Sequence, residues 1–235
     1  MIRLLISVKN VEEARDAMHA GADFIDLKDP NHGALGSLDN KICLDVVREV
    51  NQRAMVSATV GDAHDHMHTL MALVEEKRQL GVDIIKLPIS SFFADVHFQS
   101  ELRNLVQTTK IKLIVVMFAD QSINLSWIPI LADIGFYGVM LDTASKSQHL
   151  LAKVSTDTIE AFVKQCELHH LEAGLAGALR VEYVDALVKL YPDYVGFRSG
   201  VCEGNMRENK LLPHLVKEIK EKLRKHNNFC NKIGH

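Results

Sequence analysis

The chain has little of what marks several common protein classes. Its four cysteines, Cys43, Cys166, Cys202 and Cys230, are far apart and form no Cys-x-x-Cys pair. That spacing offers neither a disulfide framework nor a zinc ribbon, and the four read as reduced thiols of a cytoplasmic protein. No apolar run approaches the roughly 20 residues needed to span a bilayer. The N-terminal stretch Met1-Ile2-Arg3-Leu4-Leu5-Ile6-Ser7 is too short and too soon charged for a signal peptide. There is no excess of one charge: 27 Lys and Arg stand against 30 Asp and Glu. That balance argues against a nucleic-acid footprint over the domain. Neither GxGxxG nor GxxxxGK[ST] follows any strand-like run, so the usual nucleotide cradles are missing. Aromatics are few, at 6%, yet hydrophobic residues make up 47%, which excludes disorder.

What is present is a recurring short apolar run. Eight begin near Arg3, Phe24, Ala54, Asp83, Lys112, Tyr137, Glu172 and Tyr194, at intervals of 21 to 35 residues. Their near-continuous apolarity suits strands buried on both faces of a parallel sheet. A helical pattern follows each, over about 10–18, 41–50, 66–80, 95–108, 124–133, 156–170, 181–190 and 209–225. Eight strand–helix units without linker or low-complexity stretch predict a single α/β domain, a (β/α)8 TIM barrel over residues 1–226. A short polar C-terminal tail is expected over 227–235. A doubly wound open sheet is the alternative.

In such a barrel the chemistry sits where strands end. The second run ends Asp26-Leu27-Lys28-Asp29-Pro30. Strand alternation puts Asp26 and Lys28 on one face, opposite Ile25 and Leu27, and a strand packed by helices outside directs the charged pair toward the barrel mouth. Lys86 ends the fourth run, Asp142 the sixth, with Lys146 just beyond. Asp62 follows the third run and Asp120 the fifth. Burial or a neighbouring like charge makes one lysine neutral near pH 7, and a neutral amine forms a Schiff base with a carbonyl. Nearby aspartates can move protons. The residues alone do not choose which lysine is the nucleophile.

The seventh and eighth runs lead into Leu175-Ala176-Gly177-Ala178-Leu179 and Phe197-Arg198-Ser199-Gly200-Val201. Loops at these two units often bind phosphate through backbone amides, so Gly177, Arg198, Ser199 and Gly200 are candidate phosphate ligands. Arg198 could equally pair with a barrel carboxylate. The stretch His64-Asp65-His66-Met67-His68 resembles a metal box, but it stands at a loop-to-helix entry with no defined carboxylate or cysteine partners, and no metal is expected.

The segments Phe24–Pro30, Ser57–Asp62, Met140–Lys146, Leu175–Gly177 and Val195–Gly200 resemble, in order and to about residue 220, the (5-formylfuran-3-yl)methyl phosphate synthase family. These enzymes are also called 4-(hydroxymethyl)-2-furancarboxaldehyde-phosphate synthases, of methanofuran biosynthesis. The resemblance implies a (β/α)8 barrel that condenses two glyceraldehyde 3-phosphate molecules with no metal or organic cofactor. It further implies Lys28 as the Schiff-base lysine, Lys86 as a proton-transfer lysine, and Asp26, Asp142 and Lys146 as the rest of the catalytic set. The second substrate phosphate has no evident site in the sequence. The expected partners are triose phosphates and a second copy of the chain in a homo-oligomer, with no nucleic acid and no membrane. Competing readings are another class I aldolase-type or epimerase-type phosphosugar barrel, or a phosphosugar-binding barrel without turnover.

Overall fold

A computed structural model describes residues 1–145 and 147–233, the last three by their backbone only. The chain runs β1 (Arg3–Val8), α1 (Val11–His19), β2 (Phe24–Leu27), α2 (Asn40–Val50), β3 (Met55–Thr59), α3 (Met67–Gln79), β4 (Ile84–Pro88), α4 (Val96–Thr109) and β5 (Lys112–Phe118). It continues through α5 (Trp127–Ile134), β6 (Gly138–Asp142), α6 (Leu150–Lys153), α7 (Thr156–Leu168), β7 (Glu172–Leu175), α8 (Val184–Leu187), β8 (Tyr194–Phe197) and α9 (Pro213–Ile233). All eight strands are parallel and pair in sequence order, and β8 closes on β1. The sheet is therefore a closed barrel and not an open doubly wound sheet.

Alternation along each strand separates two cores. On β4, Ile85 and Leu87 point outward and join Phe98 and Leu102 of α4 in the layer between strands and helices. Ile84 points inward with Leu5, Phe24, Ile114, Met140 and Tyr194, a second cluster inside the barrel. Ala34 and Leu35, from the loop after β2, join this inner cluster, so that loop folds over the interior.

Side-chain caps fix where helices start. Asn10 accepts the Glu13 amide to begin α1, Asp39 begins α2, Asp95 begins α4, and Ser155 begins α7. The differences from the sequence reading also have local causes. The fifth helix starts at Trp127 and not near 124, because the Asn124 side chain accepts from both the amide and the hydroxyl of Ser126 and closes a turn first. The helix expected over 181–190 is divided into a 3-10 turn, α8 and a second 3-10 turn. The short α6 was not expected.

The last helix starts at Pro213, an N1 residue whose missing N–H costs nothing there. Residues 203–210 are instead closed into a loop by a bridge between Cys202 and Leu211. At its other end α9 continues through the boundary expected at 226 and 227 to Ile233. Asn227 is buried, accepts the Ile2 amide at 2.8 Å and donates to the Ile2 carbonyl at 3.0 Å. It thereby ties the C-terminal helix to the start of β1. Among the described residues, no helix is long and apolar enough to cross a membrane. Asn227→Ala leaves both Ile2 backbone groups without this partner, and urea denaturation is expected to show a loss of about 1–3 kcal/mol. An unchanged midpoint would remove Asn227 from the account of how the helix docks.

Candidate active site

Strand register assembles the site. Ser7, Asp26 and Ser57 are direct neighbours across β1, β2 and β3, and Lys86 sits one strand further on β4. All have the inward parity. Asp26 is wholly buried. Its carboxylate accepts from the Ser7 hydroxyl at 2.7 Å and the Ser57 hydroxyl at 2.7 Å, and lies 2.7 Å from the Lys86 ammonium. Lys28, one turn of the pleat nearer the mouth, pairs with Asp142 at 3.6 Å. Asp142 ends β6 and also accepts the Thr143 amide at 2.7 Å. Two lysines and two carboxylates thus meet in one cluster, with Lys28 the most exposed of the four at only 8%.

The electrostatics distinguish the deep pair. Burial is the strongest influence on Lys86 and pushes its pKa below the ordinary lysine value; Asp26 opposes this and Lys28 adds to it. Burial acts on Asp26 in the other direction, but Lys86 and Lys28 together outweigh it and hold the carboxyl below its ordinary value. Of this pair, the carboxylate stays ionised and the amine is the member brought toward neutrality.

Above the cluster lies a narrow cavity of about 40 Å³, lined by Ser7, Lys28, Lys86, Asp142 and the loops after β7 and β8. Gly177, Ser199 and Gly200 all line this second wall or adjoin it. Gly177 has φ +108°, and a Cβ there would stand 3.0 Å from the Thr143 amide nitrogen. The loops after β6 and β7 therefore approach closely at this glycine. Among the described residues, the amides of Gly177, Ala178, Ser199 and Gly200 make no backbone hydrogen bond, which leaves four donors of this glycine-rich cradle open to an acceptor.

The sequence profile of the 4-HFC-P synthase family matches residues 4–220. A (5-formylfuran-3-yl)methyl phosphate synthase from Methanocaldococcus jannaschii is 32% identical over 231 residues, covering 93% of this chain and 98% of that protein. A Methylorubrum extorquens protein that carries the same enzyme name provisionally is 36% identical over 223 residues, covering 94% and 92%. The chain belongs to the 4-HFC-P synthase family. Among solved structures, 3-hexulose-6-phosphate synthase from Salmonella typhimurium superposes with a TM-score of 0.69 at 14% identity, covering 96% of this chain and 100% of that one. Phosphoribosyl anthranilate isomerase from Thermus thermophilus gives 0.68 at 15%, covering 95% and 99%. At those identities the likeness is one of fold.

Within this 4-HFC-P synthase barrel, Asp26, Lys28, Lys86 and Asp142 stand together at the mouth, and Lys146 lies outside the described residues. Gly177 and Ser199 line the cavity beside them. Arg198 borders the cavity, and its guanidinium donates to Glu13, to the Ser7 carbonyl and to the carbonyls of Arg207 and Asn209. It makes the carboxylate pairing that the sequence left open beside phosphate binding. Asp62 and Asp120 also serve loops. Asp62 accepts the Leu35 amide at 2.5 Å, and Asp120 accepts the amides of Ala144 and Ser145, each at 2.7 Å. Of the histidines, His66 stacks on His68 with ring centroids 5.3 Å apart.

The sequence reading missed Ser7, Ser57 and Glu13. The inward parity they share with their neighbours was available for the two serines; nothing near Glu13 pointed to a partner 185 residues away.

Below its folded-state pKa, Lys86 is charged in the folded and unfolded chains alike, and its burial opposes folding there. That opposition is relieved as pH rises from the depressed value toward the ordinary one of 10.5. Asp26→Asn removes the main influence holding the amine charged, so the relief begins at lower pH. In protein with ¹⁵N-labelled lysine, the Lys86 Nζ midpoint is expected to fall in this variant, with turnover reduced roughly 100-fold or more. A midpoint that stays or rises contradicts the pairing described.

Proposed function

We propose that this 4-HFC-P synthase family member condenses two molecules of glyceraldehyde 3-phosphate to 4-(hydroxymethyl)-2-furancarboxaldehyde phosphate through a Schiff base on Lys28. The observation that carries the reading is the pairing of one lysine at the cavity floor with a second, deeper lysine that burial drives toward the neutral amine. The names of the curated relatives give the product class.

The atoms balance: two trioses lose one phosphoric acid and two waters to give the furan aldehyde phosphate. One triose is held through its aldehyde as an imine on the Lys28 amine, with loss of water, and the other isomerises to its keto form. Proton removal from the carbon beside the imine gives an enamine, in which the imine acts as the electron sink. The Lys86 amine is placed to take that proton, and Asp26 then stabilises the ammonium formed. The enamine expels the phosphate of its own triose, and the terminal carbon so freed, nucleophilic in the enol of the resulting 2-oxo imine, attacks the ketone carbon of the second triose, forming the new carbon–carbon bond and the branched skeleton of the product. The free hydroxymethyl oxygen of the keto triose then closes the ring on the 2-oxo carbon, loss of two waters gives the furan, and a further water releases the product from Lys28. Asp142, beside Lys28, is suited to carry protons to the departing oxygens, with Lys146 completing the set that the family resemblance implies. The Gly177, Ser199 and Gly200 cradle would hold a substrate phosphate.

In this reading the enzyme works in the cytoplasm, where its four free thiols stay reduced, and supplies the furan of methanofuran. A homo-oligomer is the assembly proposed for it.

Incubation with glyceraldehyde 3-phosphate is expected to yield a furan aldehyde by absorbance together with free phosphate, and neither with Lys28→Ala. Borohydride added during turnover should fix one substrate-derived adduct, located on Lys28 by peptide mass spectrometry. An adduct on Lys86, or none on either lysine, sinks the assignment.

A further inference from the structure

Two phosphorylated trioses require two anion sites, and the glycine cradle supplies one. We infer that Arg207 is the cation of the second, gripping a substrate phosphate where the loop after β8 meets the loop after β2. This inference rests on the proposed condensation for the identity of its ligand, though its site stands on geometry alone.

Arg207 lies in the loop between β8 and α9 that the Cys202–Leu211 bridge closes, and it lines the same cavity as Lys28 and Gly177. Its side chain is largely buried, and its Nε is a buried donor with no hydrogen-bond partner. An unpaired buried donor of a charged group is costly, so the position calls for an acceptor. The nearest carboxylate, on Glu208, lies 3.8 Å from Nε and is itself about half exposed. Among the described residues, the other cations lining the cavity are engaged: Lys86 with Asp26, Lys28 with Asp142, and Arg198 with Glu13.

Two contacts hold Arg207 in place without using up its donors. Its Nη2 donates to the carbonyl of Gly33 in the loop after β2, spanning from one rim loop to another. Its own carbonyl accepts from Arg198 Nε at 2.7 Å. Gly33 is in turn set by Asp62: with φ +75°, a Cβ there would overlap the Asp62 carboxylate. The clamp of Glu13 and Arg198 thus fixes the backbone of Arg207, while Gly33 directs one arm of its fork and leaves Nε for an anion. A planar guanidinium with one edge committed and one donor open suits a phosphate oxygen. Its tether to Gly33 sets this donor at the junction of the loops after β8 and β2.

Titration with inorganic phosphate, followed by ¹H–¹⁵N NMR, tests this without turnover. The amides of Gly177, Ser199 and Gly200 report one site, and the Gly33 amide with the Arg207 Nε–H reports the other. Both sets are expected to shift in the wild type. In Arg207→Ala the Gly33 amide should cease to respond, while the cradle amides titrate within about twofold of wild type. Arg207→Lys should restore the Gly33 response at lower affinity, and retention of the cradle response shows that the variants fold. With glyceraldehyde 3-phosphate, Arg207→Ala should raise KM about tenfold or more with kcat changed far less. A Gly33 response that persists unchanged in Arg207→Ala, or that is absent from the wild type while the cradle responds, overturns the inference. Failure to form the furan aldehyde would instead reject the condensation and leave the phosphate titration as it stands.

Discussion

A carboxylate with no solvent contact, inside a barrel whose floor is Leu5, Ile84, Ile114 and Met140, is the constraint around which the mouth is built. An isolated buried charge of this kind is prohibitively unfavourable, so Asp26 needs partners supplied by the fold. They come from three strands: Ser7 on β1, Ser57 on β3 and Lys86 on β4. Because Ser7, Asp26 and Ser57 are register neighbours, a slip of one residue in any of these strands would turn its polar group outward. The network therefore specifies the strand pairing that in turn places Lys28 and Lys86 together. Serines fit here for a steric reason as well: a larger inward residue would compete with the cavity directly above.

Around this buried centre, the rim uses charge for a different purpose. Asp62, Asp120 and Glu13 each accept from backbone amides or from an arginine, and each fixes a loop. Asp120 is an example of the economy involved: one side chain takes two successive amides at the start of the loop after β6, the loop that leads on to residue 146. The inward charges pair with one another beside the cavity. Rim charges, facing unsatisfied backbone donors, hold the loops that shape the cavity.

That division explains how much the sequence could show. All eight strands start within one residue of their expected positions, because strands buried on both faces are apolar throughout and few alternatives fit. Parity alone placed Asp26 and Lys28 on the inner face. It did not reveal that Ser7 and Ser57 were their partners, since a single serine in an apolar strand looks the same whether it bonds a carboxylate or merely fills space. Arg198 shows the limit more sharply. Its position in the eighth unit suggested phosphate, and its use is set by Glu13, which in the sequence is an ordinary acidic residue in the first turn of a helix. Pairing over that distance belongs to the tertiary structure. The end of α9 was obscured by the same cause: a polar stretch reads as a tail until Asn227 is seen to hold the backbone of Ile2.

The difference between the two lysines follows from depth. Both are primary amines within one cluster of opposite charges, yet Lys86 is wholly enclosed and Lys28 retains a margin of access to the cavity. In the proposed condensation a substrate carbonyl entering from the mouth would meet Lys28 first, and a covalent adduct there would extend into the cavity without displacing the inner core. Formation of an adduct on Lys86 would require the Asp26 carboxylate to lose its ammonium while remaining buried, which the desolvation argument opposes. Lys86 keeps that carboxylate as its partner through a protonation cycle, so gaining and returning a proton costs it far less than forming a bond to carbon. The covalent and proton-carrying roles proposed for the two lysines would thus be separated by burial and by Asp26, with no difference in the chemistry of the two side chains.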